Sequence, residues 1–170
     1  MRKIWAAIGS LIFLVVEPGT VAGLGPWWLT GWAVGDAPPQ VAAPLRIVGA
    51  VLVLVGASAL LHSFGRFVLE GLGTPAPIAP PERLVIGGLY RYVRNPMYVA
   101  VLLTIVGEAL VLLQPGLLVY AVVVSVAMAS FVYGYEQPTL SASFGAEYDA
   151  YRRAVPGWWP RLRGAVTIGR

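Results

Sequence analysis

The sequence predicts an all-α integral membrane protein, a helical bundle of four transmembrane helices with a C-terminal amphipathic surface helix. Three observations lead there. Hydrophobic residues make up 58% of the chain and mean hydropathy is +0.74, above what a water-soluble domain carries. Charged residues are only 12% and cluster in a few segments, where a soluble surface would distribute them over every polar face. Apolar stretches near the ~20 residues that a helix needs to cross hydrocarbon recur four times.

The first stretch runs from about Ile4 to Leu24 and is interrupted by Glu17, Pro18 and Gly19. Its basic start, MRK, followed by IWAAIGSLIFLVV, resembles a secretory signal, but the small-residue cleavage site is poorly formed and further spans follow, so it reads as the first transmembrane helix. The second stretch runs from about Leu45 to Val68, the third from Met97 to Leu113 and the fourth from Leu117 to Tyr135. Only Gln114, Pro115 and Gly116 separate the last two, which predicts a tight antiparallel hairpin. The connection GPWWLTGWAVGDAPPQ holds three tryptophans, whose amphipathic rings favour the headgroup level. The connection from Glu70 to Arg94 is too rich in proline and glycine to be one regular element. Beyond Tyr135, Leu140, Phe144, Tyr148 and Tyr151 form one apolar stripe on a short helix ending near Val155 and Pro156, predicted to lie on the membrane surface.

Charge sets the orientation. With four spans, both termini and the second connection share a side, and of the twelve basic residues only Arg46 falls on the other. That asymmetry places both termini and the polar segments in the cytoplasm. The charge of +4 thus reports topology, and no nucleic-acid module is visible. There is no cysteine and one histidine, His62, which excludes disulfides, thiolate chemistry and a histidine-rich metal site; no metal is expected. The sequence leaves the oligomeric state open.

The segment YRYVRNPMY, residues 90 to 98, concentrates two arginines, an asparagine and three tyrosines where the third helix begins. Asn95 and Pro96 suit a capped first turn, with the arginines on lipid phosphate. Glu136 at the end of the fourth helix is brought alongside by the hairpin, so an arginine and a carboxylate converge with tyrosines at one membrane face, where ionisable groups mark function.

Two blocks, LV-x-x-GLYRYVRNPMY and E-x-x-x-L-x-x-x-FG-x-x-Y-x-x-Y-x-x-x-VP, together with their order and the hairpin between them, resemble the membrane methyltransferase family of isoprenylcysteine carboxyl methyltransferases and, more distantly, phospholipid N-methyltransferases. The resemblance spans residues 82 to about 160. It implies S-adenosylmethionine held on the cytoplasmic side and a methyl acceptor that is a lipid or lipid-like molecule arriving from the bilayer. The chain then divides into N-terminal helices and interfacial segment, 1–69, and a cofactor-binding and catalytic core, 70–160. Carried over by position, Glu82, Arg83, Leu84, Val85, Tyr90, Asn95, Pro96, Met97 and Tyr98 line the cofactor pocket, and Arg94 and Glu136 act at the reacting end. A carboxylate acceptor, as in the isoprenylcysteine enzymes, is the first expectation. It needs no base and suits a planar two-point contact from Arg94. The alternative, a phospholipid amine, must lose a proton and gives Glu136 that task. Departures from the prenylcysteine pattern are Asn95 in place of a histidine, Gln137 in place of a second glutamate and Val132 in place of an arginine. A sterol-reductase-like NADPH enzyme and a non-catalytic scaffold are the remaining alternatives.

Other polar residues carry open readings. Glu17 lies either at a broken helix near the far interface or in a substrate cavity. His62, Arg66 and Glu70, one turn apart, form either a structural ladder or a headgroup site. Glu108 falls too far along the third helix for the chemistry. Tyr148 and Tyr151 pack the last helix, with cofactor contact possible; Arg152 and Arg153 attract anionic lipid, and Trp158 and Trp159 anchor at the interface.

Overall fold

The structure is a computed structural model, and it describes residues 11–12, 15–71 and 83–161; among these no strand occurs. The chain is helical over 15–19, continues through a π turn, Thr20–Leu24, and ends the element with α1, Gly25–Thr30. The interruption expected at Glu17, Pro18 and Gly19 is therefore absent, because the helix carries a buried Pro18 without breaking and widens one turn later. Gly25 N–H bonds back to Thr20. A π register would assign the Val21 carbonyl to residue 26, which is proline and has no N–H. Tyr120 supplies the missing donor, its hydroxyl 2.8 Å from the Val21 oxygen. Tyr120→Phe is expected to cost about 1–3 kcal/mol, the scale of a buried carbonyl left unpaired, read as a lower melting temperature in detergent.

Helix α2, Pro39–Arg66, runs into a π turn, Phe67–Gly71; α3 is Pro96–Leu112 and α4 is Gly116–Phe131. A further π turn, Val132–Glu136, links α4 without a break to α5, Gln137–Phe144, and α6 is Ala146–Ala154. Among the described residues two helical runs are long and apolar enough to cross a membrane, Pro39–Arg66 and Gly116–Phe144; α3 is apolar but shorter, at 17 residues.

Helices α2 and α3 form the closest pair. The positions of α2 that are buried include Ala42, Gly49, Gly56 and Ser63, each seven residues after the last, so its inward face is made of small residues. An added Cβ on Gly49 would lie 2.6 Å from the Gly107 oxygen, and one on Gly56 would lie 2.7 Å from the Ala100 oxygen. Backbones this close are characteristic of helices packing in lipid, where van der Waals fit replaces hydrophobic expulsion. Apart from the buried Phe64 near its end, large side chains of α2 such as Ile47 and Leu54 point the other way, each 67% exposed.

The predicted hairpin forms, turning at Leu113 in the left-handed region. The loop after α1 is pinned to it, Gly35 N–H bonding Leu112 and Gln114 Nε2 bonding Ala33. Two expectations change at the C-terminal end. The helix does not stop near Tyr135, because the wide π turn absorbs the clash that Pro138 would cause with the preceding turn. The following segment is two helices, broken at Gly145 (φ +52°), and its aromatic stripe is interior: Tyr148, Tyr151 and Val155 are buried and pack with Leu140, Phe144, Leu84 and Ile86.

Candidate active site

The loop before α3 and the segment after α6 are stitched together through their backbones. Arg94 N–H bonds the Pro156 carbonyl at 2.8 Å, Asn95 N–H bonds Gly157 at 3.2 Å, and Arg161 N–H bonds Tyr92 at 3.0 Å. Side chains reinforce the seam. Arg94 Nε donates to the Val155 carbonyl at 2.9 Å and its Nη1 reaches the Tyr148 hydroxyl at 3.5 Å, while the Tyr151 hydroxyl donates to the Tyr90 carbonyl at 2.8 Å. Burial raises the pKa of Tyr90, and of Tyr148 and Tyr151 although the Arg94 guanidinium pulls both the other way, so these hydroxyls stay protonated.

From below, the end of α2 supports the same loop. Glu70 pairs with Arg66 at 2.9 Å and accepts the Gly87 N–H at 3.0 Å. Gly88 has φ +58°, and His62 and Arg66 fill the space that a side chain there would need. The His62, Arg66 and Glu70 ladder is thus structural. Phe67 meets Tyr90 edge to face, with ring centroids 5.7 Å apart.

These contacts enclose a cavity with an open mouth. One wall is Leu84, Val85 and Tyr90, then Arg94, Asn95, Pro96, Met97 and Tyr98 from the start of α3. Facing residues come from Glu136, Gln137, Tyr148 and Tyr151, with Phe131 at the end of α4 and Val132 and Tyr135 in the π turn that follows it. Across the space the Tyr98 hydroxyl donates to Glu136 Oε2 at 2.8 Å, joining the two motif blocks.

Asn95 does not act as the expected cap, since its side chain makes no capping bond. It is 6% exposed and its Nδ2 has no partner, which leaves a donor at the cavity wall for a ligand to satisfy. Of the other residues named from sequence, Arg83 is exposed and does not line the cavity, and Glu82 lies outside the described residues. Several lining residues were not assigned to the site from sequence, among them Phe67, which carried no signal, Glu17, whose signal was a carboxylate inside an apolar stretch, and the α4 to α6 residues Phe131, Leu140, Tyr148 and Tyr151.

A family model described as phospholipid methyltransferase matches residues 40–147. The chain belongs to that family. It is a family of membrane methyltransferases related to the isoprenylcysteine carboxyl methyltransferases, and its members use S-adenosylmethionine as methyl donor. No curated protein and no solved structure matched the chain. Membership together with the two apolar helical runs makes this a membrane protein. The cavity fits the family's cofactor in chemistry: apolar and aromatic walls for the adenine and the sulfonium, and the unpaired Asn95 amide for a polar group.

Proposed function

We propose that this family member transfers the methyl group of S-adenosylmethionine to the amine of a membrane lipid headgroup, within a four-span fold whose cavity faces the cytoplasm. The observation that carries the reading is the content of the cavity. Its charged lining residues are Glu17, Glu136 and Arg94, two carboxylates against one guanidinium whose Nε is already engaged by Val155. That balance favours a cationic acceptor.

Leu84, Val85, Tyr90, Asn95, Pro96, Met97 and Tyr98 hold the cofactor in this reading, with Glu82 and Arg83 assigned by the resemblance alone. When bound, the cofactor supplies an electrophilic methyl group on a sulfonium. Glu136, fixed by Tyr98, takes the proton from the ammonium head. The nitrogen lone pair so freed would be the nucleophile toward that methyl group, the sulfur keeping the electrons of its former bond to carbon as a thioether. Alignment and exclusion of water are the protein's main contributions to such an in-line displacement. Arg94 keeps an edge of its guanidinium for an anionic group beside the amine, such as a headgroup phosphate.

A carboxylate acceptor is the second reading, favoured by that same guanidinium edge, next to which Gly157 leaves room: a Cβ there would sit 3.3 Å from Arg94 Nη2. Native membranes incubated with methyl-labelled donor distinguish the two. Label in a lipid fraction that resists alkali supports the amine; label released by alkali as methanol is an ester and overturns it. Glu136→Gln keeps an acceptor for the Tyr98 hydroxyl but removes the base. Turnover is expected to fall by about 10²–10³-fold for an amine, the usual contribution of a positioned base, and to change little for a carboxylate.

A further inference from the structure

We infer that Glu17 is an acceptor-binding residue, holding the ammonium of the lipid headgroup from the N-terminal helix; the inference rests on the amine reading above. Glu17 lies outside the segment that the family shares, 40–147, yet it lines the same cavity as Tyr98, Arg94 and Glu136. Among the described residues it has no hydrogen bond and no ion pair. A carboxylate inside an apolar helix with no partner is costly and is retained where a ligand supplies the missing charge.

Its position is fixed. One turn further along the helix, Val21 and Ala22 pack against the core of Val101, Ile105 and Val124, and the Tyr120 hydroxyl holds the Val21 carbonyl. The cavity's second unsatisfied group, the buried Asn95 amide, sits on the cofactor wall in the shared segment. Two groups of opposite character therefore face one space: the Asn95 donor on the wall that the family model covers, and the Glu17 carboxylate on the N-terminal helix. The donor suits the cofactor and the anion suits a cationic acceptor. With Glu136 receiving the proton, Glu17 retains its charge and positions the nitrogen without taking part in bond making.

The test uses the full chain in detergent micelles, with an ethanolamine-headgroup glycerophospholipid as acceptor. Glu17→Gln is expected to raise KM for this lipid by about tenfold or more, the scale of one charge-assisted hydrogen bond, with a smaller change in kcat. A choline-headgroup lipid, which carries a fixed positive charge, should inhibit the parent protein competitively and lose that inhibition in Glu17→Gln. Binding of S-adenosylhomocysteine, measured by calorimetry, should be unchanged and shows that the variant is folded. Weakened binding of that ligand would assign Glu17 to the cofactor and overturn the inference, as would an unchanged KM. If the labelled product is an alkali-labile ester, the amine reading itself fails; an N-methyl product with an unaltered KM defeats only the role of Glu17.

Discussion

Replacing Arg94 with alanine is expected to lower methyl transfer by about two orders of magnitude, the equivalent of roughly 3 kcal/mol in the transition state. The size follows from how many tasks meet on one side chain. Its Nε holds the Val155 carbonyl and its Nη1 approaches Tyr148, so it braces the C-terminal segment against the loop that forms the opposite wall. Hydrogen bonds from a charged donor contribute about 1.5–3 kcal/mol each when buried. The main-chain bonds of residues 94 and 95 to Pro156 and Gly157 survive the substitution, so the seam should loosen without opening. The same guanidinium is the only cation lining the cavity among the described residues, and alanine would leave Glu136 and Glu17 unopposed. Arg94→Lys restores the charge but lacks the planar fork, and is expected to recover only part of the rate. Initial rates with saturating donor, together with the affinity for S-adenosylhomocysteine, check this. Full activity in the alanine variant would remove Arg94 from the site.

The site was more legible in the sequence than the packing was. Arg94 and Glu136 could be brought to one membrane face from the hairpin because polar side chains are rare in this chain and a cluster of them needs a reason, whereas Leu84, Val85, Tyr90 and Asn95 to Tyr98 were placed there by the resemblance. The helix pairing was not legible for the opposite cause. Amphipathic periodicity reports which face is apolar, and in lipid both faces are, so Ala42, Gly49, Gly56 and Ser63 gave no hydrophobic signal; the seven-residue interval of small residues was the signal to look for. The π turns at Thr20–Leu24 and Val132–Glu136 precede Pro26 and Pro138, whose effect on helix register the sequence reading did not consider. That Tyr148 and Tyr151 pack their helix onto the bundle was expected, but a stripe at helical spacing does not say which residues cover it. Leu84 and Ile86 cover it, and they come from a loop that has no periodicity at all.

The small-residue contact leads to the second large effect, expected for Gly107→Val. A Cβ at this position would lie 2.7 Å from the Gly49 oxygen and 2.8 Å from the Val53 nitrogen, both main-chain atoms that cannot rotate aside. Relief requires α2 and α3 to separate along their whole contact, and α3 carries Asn95 and Tyr98 at one end while α2 carries the Glu70 support for the loop at the other side of the seam. Overpacking in a close-fitted interior costs about 1–3 kcal/mol, and with backbone on both sides the upper end applies. The variant should melt markedly lower in detergent and lose activity in proportion to the unfolded fraction. Gly65→Ala is the matched control, since it lies on α2 with nothing within 4 Å of the added carbon. It should be neutral or stabilise the helix by up to about 1 kcal/mol. Equal melting temperatures for the two variants would mean that α2 and α3 are not in contact at their glycines. A drop confined to Gly107→Val ties the fold of the cavity wall to a packing surface 12 residues from Asn95 along the same helix.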